Sequence, residues 1–476
     1  MNYLTTIGLE VHVQLKTRSK MFCGCSTAYG ALPNTQVCPV CLGYPGVLPV
    51  MNREAVRFTV ITGLMIGSRI SEYSKFDRKS YFYPDMPKNY QISQYDKPLC
   101  EGGSLDIEVN RVIKIVGVTR IHLEEDTGKN VHFENSSGVD FNRAGVPLME
   151  IVSEPNLNNP EEAFAYLQAL KGILLYAGVS DCNLEEGNIR CDVNCSVRPE
   201  GQEQLGTKTE IKNLNTFKGV LNALKYEVKR QIEVLDSGGE IQQETRRWDV
   251  DAGVTIGMRS KEYAHDYRYF PEPDLMPIVL SREQVAGWQS ELPELPCHRR
   301  KRFVGEYGLP EYDAGVLVAD KAVADYFEAT ASFSSNPKGV SNWIMTEMLR
   351  LLSENEMKII DQQISSRALA DLIKLVDDKT VNSTIAKEIF AIMFEKGGDP
   401  NEIVRQEDWA QVSDSDAVQK LVDQAMTKNP KSVADYRSGK KVAAKFLVGQ
   451  VMRLSKGKAD PRLVSRMVEE KLRIRS

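Results

Sequence analysis

Two groups of residues in this chain have the types and spacing to do chemistry. The first is a set of acids and imidazoles. In Ile7-Gly8-Leu9-Glu10-Val11-His12-Val13-Gln14-Leu15 the apolar side chains fall on one parity, and Glu10 and His12 fall on the other, the alternation of a half-buried strand. Two such side chains stand about 6.5 to 7 Å apart along one strand face, close enough to share a metal ion or a phosphate. Further on, His122-Leu123-Glu124-Glu125-Asp126 ends a strand-like run with three consecutive acids. Such a run needs a cation or solvent to relieve its repulsion. Parity groups Glu124 with His122 and Glu125 with Leu123, and the pattern does not choose which carboxylate faces a site. Glu150 is a single acid in the apolar run Val146 to Val152, and a buried carboxylate must be paired or must ligate a metal.

The second group is cysteine. Cys23-Gly24-Cys25 and Cys38-Pro39-Val40-Cys41 form two close pairs, a grouping suited to a closed tetrahedral zinc site with no position left for water. The expected zinc is therefore structural. Between the groups, residues 75–91 set five aromatics among six charged residues, Lys79 included. Aromatics beside cations can stack on a base or sugar while the cations hold phosphate.

The elements that must position these residues are readable in outline. Asn52 caps a helix closed by Gly67, and Asn159-Pro160 opens another that Gly178 ends,. Strands are expected at 104–109 and 112–123. A third alternating run puts Arg190, Asp192, Asn194, Ser196 and Arg198 on one face, with donors and acceptors suited to a phosphate and its metal. A long helix follows around 217–235. The patch Glu291-Leu292-Pro293-Glu294-Leu295-Pro296 reads as a linker. Beyond it the apolar spacing turns to three and four, predicting helices over 322–331, 340–354, 366–376, 383–396, 403–412 and 413–428, then three more near 432–438, 440–455 and 461–473. The fold class that follows is an α+β N-terminal domain, an all-helical region and a small all-α basic tail.

A chain of 476 residues, 42% hydrophobic and 26% charged, has room for two or three domains of a soluble protein. It contains no apolar run long enough to span a membrane, and Met1-Asn2-Tyr3-Leu4 does not open a signal peptide, so a cytoplasmic address is expected. The net charge of -5 conceals an asymmetry. From Lys428 to Ser476 there are fourteen Lys and Arg against four acids, a net of +10, which leaves -15 for everything before it. A basic terminal module on an acidic body is the electrostatic footprint of a polyanion-binding appendage. A self-contained ATP-dependent ligase is disfavoured because the chain lacks a GxxxxGK[ST] phosphate loop.

IGLEVHVQL, the paired-cysteine segment ending in LGYPGVLPV, KFDRKSYFYPDMPKNYQISQ, HLEEDTGK, FNRAGVPLMEIVSEP, GNIRCDVNCSVRP, TEIKNLNTFKGV, QETRRWD and HDYRYFPEPDL together resemble the B subunit of the bacterial tRNA-dependent amidotransferase, over essentially the whole chain. That resemblance implies a cradle domain with a largely antiparallel sheet over 1–292, a helical domain over 293–405 and a YqeY-like tail over 406–476. It implies a heterotrimer with a glutaminase (amidase) A subunit and a small C subunit. Its reaction converts Glu-tRNA(Gln), and often Asp-tRNA(Asn), to the amide: ATP phosphorylates the side-chain carboxylate, and ammonia from the glutaminase then displaces phosphate. Carried over by motif, the magnesium site falls on His12, Glu125 and Glu150, with manganese as the alternative ion because imidazole is not magnesium's usual ligand. Glu10, Lys79, Arg143 and Asp192 are the expected catalytic companions, and the zinc ligands are Cys23, Cys25, Cys38 and Cys41. Contact with tRNA is expected from Lys440, Lys441, Lys445, Arg453, Lys456 and Lys458. Thr127 and Lys208 stand where the family more often has Ala and Arg.

Overall fold

The strand that carries Glu10 and His12 runs from Tyr3 to Gln14 and lies inside a ten-stranded sheet. Across the sheet the strands follow the order Val254–Ser260, Glu244–Asp249, Thr209–Lys212, Ile189–Pro199, Tyr3–Gln14, Pro147–Ser153, Val112–Glu125, Cys100–Glu101 and Arg69–Ile70, with Ser104–Val109 also on Val112–Glu125. Every pairing is antiparallel except that between Thr209–Lys212 and Glu244–Asp249. The largely antiparallel sheet expected from the resemblance is therefore present. The computed structural model describes residues 2–260, 267–407, 409, 415–438, 440–455 and 459–473. The chain divides into two units, Met1–Cys297 and His298–Ser476.

In the first unit the alternation of the opening strand becomes burial. Ile7, Val11 and Val13 are fully buried and Leu9 nearly so. They join one core with Tyr166, Leu167, Leu170 and Leu174 from helix Pro160–Tyr176 and with Val220, Ala223 and Leu224 from helix Phe217–Asp236. Each buried Ile, Leu or Val among them contributes roughly 1.5 to 3 kcal/mol by leaving water, so the sheet has one committed apolar face and its polar parity must point the other way. The hairpin between Val109 and Val112 turns on Asn110 and Arg111, both with positive φ of 52° and 66°. That pair of left-handed residues matches the right-handed twist of the flanking strands. The expected caps are in place: Asn52 accepts from Glu54 N and Ala55 N, and Asn159 accepts from Glu162 N with Pro160 in the first turn.

The patch read as a linker is anchored. Leu292 and Leu295 pack against the first core, and Pro296 starts a helix, Pro296–Tyr307. Helices Arg282–Ser290 and Glu311–Val318 also lie where no helix was expected. Short length hides their periodicity: Arg282–Ser290 buries only Trp288, and Glu311–Val318 spans little more than two turns,.

The second unit is helical. Residues Phe303 to Val404 supply one apolar core and Val418 to Leu472 supply another. The helix expected over 340–354 is three consecutive pieces, Pro337–Trp343, a π-helical turn Ile344–Met348, and Leu349–Glu354. The helix expected to reach residue 412 is Pro400–Gln406, and residues 408 and 410–414 lie outside the described ones. The basic tail is built from Ser415–Lys428, Pro430–Arg437, Val442–Leu454 and Pro461–Arg473.

Candidate functional site

Cross-strand register assembles the site. His12 is opposite Glu150 on one side and Arg190 on the other, and Glu150 is in turn opposite His122. Directly paired residues share a sheet face, with Cβ atoms about 4.5 to 5.5 Å apart. Arg190, His12, Glu150 and His122 therefore form one row across four strands. Two residues further along each strand, Glu10 pairs with Asp192 on the same polar face. This is the face opposite Ile7, Leu9, Val11 and Val13.

Within this row His12 Nε2 lies 3.3 Å from Glu150 Oε2 and 3.8 Å from Glu124 Oε1. His122 Nε2 lies 3.5 Å from the same Glu150 oxygen and 3.8 Å from Glu124 Oε2. Ser93 Oγ donates to Glu124 Oε2 at 3.2 Å. One ligand atom each from His12, Glu124 and Glu150 fall within 4.8 Å of one another, so the three could hold a metal ion. Glu124 and His122 are almost wholly buried, whereas His12 keeps a side-chain exposure of 21%. The cluster is thus open on the His12 side.

Its charges are mutually supporting. Burial works to neutralise His12, yet the Glu150 hydrogen bond and the Glu150, Glu124 and Asp192 charges raise its pKa to about 9,. Burial also opposes ionisation of Glu150, and the His122 and His12 charges together with Lys79 overcome it, holding the carboxyl well below the usual range. Glu124 is lowered in the same way, burial being outweighed by the His122 hydrogen bond and by Lys79 and His12, against the opposing Glu150 charge. Lys79, in strand Asp77–Ser80, is half-buried, and the loss of water that works to neutralise it is outweighed by the charges of Glu124, Tyr269, Glu150 and Tyr267, which keep it protonated. Its Nζ lies 4.8 Å from the Tyr267 ring centre.

Asp126 ties the cluster to its surroundings. Its carboxylate accepts from Gln14 Nε2 at 2.8 Å and from Arg190 at 2.9 Å. Arg143 Nε stands 3.7 Å away. Arg143 itself donates to the Thr127 carbonyl at 2.9 Å and the Gly128 carbonyl at 2.6 Å. Its guanidinium therefore holds the 126–128 turn. Glu10 accepts from Asn194 Nδ2 at 2.8 Å, and Asp192 accepts from Lys212 Nζ at 3.0 Å.

The cysteines meet as their spacing predicts. Sγ atoms of Cys23, Cys25, Cys38 and Cys41 all lie within 4.8 Å of one another, and that of Cys41 is 3.9 Å from that of Cys38. Tetrahedral Zn–S bonds of ~2.3 Å would set the sulfurs about 3.8 Å apart, so the geometry suits a metal of this kind. Cys38 N donates to Cys41 Sγ at 3.2 Å, and buried Lys20 approaches the same sulfur at 3.6 Å. The Cys23 hydrogen bond, opposed by burial and assisted by Cys38 N and the Lys20 charge, brings the Cys41 thiol down to about 4. A thiolate is therefore ready for a cation.

A family model described as GatB/GatE catalytic domain matches residues 5–286, and another described as GatB domain matches residues 325–472. A relative from Caldicellulosiruptor saccharolyticus, named as the B subunit of aspartyl/glutamyl-tRNA(Asn/Gln) amidotransferase, is 53% identical over 477 residues, covering 99% of each chain. Relatives of the same name from Carboxydothermus hydrogenoformans and Brevibacillus brevis are 52% and 51% identical, each again covering 99% of both chains. The chain belongs to this family of amidotransferase B subunits.

Measured against the residues that the family resemblance singles out, the structure brings His12 and Glu150 together as expected and replaces their third partner. Glu124, not Glu125, faces them. Glu125 points off the row, where its carboxylate is ion-paired to buried Lys88 and accepts from Ile92 N at 3.0 Å. The reason is the strand's period of two: Glu124 shares parity with His122, and His122 is registered on Glu150,. Glu10 and Asp192 stand on the same face one step away. Arg143 serves the turn. Arg190, on the strand face whose alternation already suits a phosphate and its metal, joins the site, and so do His122 and Asp126 of the acid-rich strand end, neither of which the sequence singles out as a ligand. The parity of His122 with Glu124 was the available signal. Which strands are neighbours was not written in it. In the tail, Lys445 and Arg453 are exposed on helix Val442–Leu454 and Lys440 and Lys441 precede it, whereas Lys456 and Lys458 lie outside the described residues. Among the described residues no helix is long and apolar enough to cross a membrane.

Proposed function

We propose that the polar face of the large sheet is where this component of the tRNA-dependent amidotransferase activates a carboxylate. The substrate is the side-chain carboxylate of Glu-tRNA(Gln) or Asp-tRNA(Asn), and ATP converts it to an acyl phosphate that ammonia then displaces. A carboxylate is a poor acceptor for ammonia, so phosphate must first become its leaving group. Such a transfer is governed by alignment and charge neutralisation. The observation that carries this reading is the convergence of His12, Glu124 and Glu150 on one open face beside protonated Lys79.

His12, Glu124 and Glu150 are the residues that would hold magnesium or manganese, the imidazole giving up its Nε2 proton to the incoming ion and favouring manganese, and the two carboxylates suiting either. The bound ion would neutralise phosphate oxygens. Lys79 supplies a fixed positive charge to the transferring phosphoryl group, and Arg190, held by Asp126, supplies a second. Arg143 fixes the turn from which Asp126 works. Glu10 and Asp192, engaged by Asn194 and Lys212, flank the row two residues along their strands. Zinc at Cys23, Cys25, Cys38 and Cys41 would have a structural role. Ammonia comes from the glutaminase A subunit of a cytoplasmic heterotrimer completed by the small C subunit, and the basic tail holds the tRNA through Lys440, Lys441, Lys445, Arg453, Lys456 and Lys458.

The test is ATP hydrolysis and amide formation by the reconstituted heterotrimer on charged tRNA, with wild type beside Glu150→Gln, Glu124→Gln and Glu125→Gln. The reading requires that the first two variants lose both activities. Wild-type rates in Glu150→Gln would overturn it.

A further inference from the structure

We propose that the outward face of helix Val442–Leu454 is a base-stacking platform for an unpaired nucleotide of the bound RNA, with Phe446 as the stacking residue and Gly449 as the gap that admits the sugar-phosphate chain. This rests on the reading that the tail holds tRNA, and adds how one helix does so. Three independent observations converge on that face.

The first is its composition. The exposed residues of the helix and its entry are Lys441, Val442, Lys445, Phe446, Gly449 and Arg453, at the three- and four-residue intervals of one helical stripe. Its opposite side, Leu447 and Val451, is fully buried in the tail core. Phe446 is 49% exposed and Val442 is 77% exposed. An aromatic ring and an aliphatic side chain thus stand in water on a face they share with cations. A ring flanked by Lys and Arg offers stacking to a base and charge to its phosphates together.

The second is the state of those cations. Elsewhere in the tail, Lys440 pairs with Asp435, Lys471 with Asp423 and Arg473 with Glu469. No carboxylate among the described residues pairs with Lys441, Lys445 or Arg453. Lys440 and Lys441 moreover stand at the helix N-terminus, where the first turn has no acid and the helix dipole disfavours positive charge. The arrangement does not serve the helix, and it complements a polyanion.

The third is Gly449. It sits mid-helix, where glycine is the poorest residue apart from proline, and a Cβ added there would meet nothing within 4 Å. Packing does not require it. A missing side chain on an exposed face lets another chain's backbone approach closely, and Gly449 lies one turn from both Phe446 and Arg453. Lys445 and Arg453 are about 12 Å apart along the axis, so they flank this gap.

Binding of a tRNA(Gln) transcript to the full heterotrimer, followed across a salt series, tests the assignment. Phe446→Ala is expected to weaken binding roughly tenfold with its salt slope unchanged, since stacking releases no counterions. Phe446→Trp should retain affinity, and its added fluorescence should be quenched on binding. Gly449→Leu, which the open space tolerates, should raise thermal stability while weakening binding. Lys445→Ala should lower the salt slope by about one. Wild-type affinity in both Phe446→Ala and Gly449→Leu overturns the platform. If Lys441, Lys445 and Arg453 replaced together by Ala also leave affinity and slope unchanged, the tail reading falls with it. If Phe446→Ala instead dissociates the heterotrimer in size-exclusion chromatography, the face is a protein interface and the proposal is wrong.

Discussion

The two clusters able to hold metal are built on different principles. His12, Glu124 and Glu150 project from paired strands, so backbone register fixes their separation, and imidazole and ammonium groups already balance the carboxylates. The four cysteines come from loop segments around Cys23–Cys25 and Cys38–Cys41, outside the named strands and helices, and their sulfurs compete for protons. Burial and the neighbouring sulfurs push the Cys25 thiol up to about 11 while Cys41 falls to about 4. The first cluster is organised by the fold. The second rests on loops that no strand register fixes, and a bound ion would supply the bonds that hold them, as it does in structural zinc sites.

The most decisive way to break this contrast is Cys41→Ser together with chelation. We expect loss of one equivalent of zinc by colorimetric assay and a destabilisation of about 3 kcal/mol or more, read as a lowered melting temperature. A stable, zinc-free wild-type protein would show that the loops organise themselves. Next in size is Glu150→Gln. It should lower kcat for amide formation by about 100-fold or more with zinc content unchanged and far-UV circular dichroism as in wild type, because the register survives the loss of one charge. Arg143→Lys sharpens the comparison further. Losing the fork that spans the Thr127 and Gly128 carbonyls should reduce kcat on the order of tenfold, since Lys supplies charge without the bidentate geometry. Recovery of full activity by Lys would mean that charge alone matters there.

The smallest effect concerns a carboxylate satisfied by protein groups alone. Glu227 is fully buried and accepts from Thr209, Arg230, Gln231 and Thr255. Burial raises its pKa, but these hydrogen bonds and the Arg230 charge bring it below the ordinary glutamate value of 4.5. A depressed folded pKa stabilises the protein above the unfolded value and loses that contribution as pH falls through the folded one. Glu227→Gln should therefore cost about 1 to 3 kcal/mol at neutral pH, with the gap to wild type closing in urea melts as the pH falls below that ordinary value. A gap independent of pH would assign the loss to packing.

What could be read from the sequence divides along the same line. Local rules placed the caps at Asn52 and Asn159, the alternation of Ile7 to Leu15, the tail helices and the meeting of the cysteines, because each depends on neighbours within a few turns. Long-range pairing was hidden. That His122 registers on Glu150, and so brings Glu124 rather than Glu125 to His12, depends on which strands are adjacent. The engagement of Arg143 with the turn was hidden for the same reason, since an arginine in a loop reads alike whether its fork meets phosphate or a carbonyl. The helices at 282–290 and 296–307 escaped because each buries too little to show a period, and that at 311–318 because it spans little more than two turns,.

The alternation in Tyr3–Gln14 has a further consequence for how this protein can vary. Its two faces are locked in phase: the same strand that sends Leu9, Val11 and Val13 into the core sends Glu10 and His12 to the site. Inserting or deleting one residue within it would invert both faces at once. Folding and catalysis would then fail together, so a screen that scores only soluble expression would also remove every single-residue length change in this strand that disarms the site.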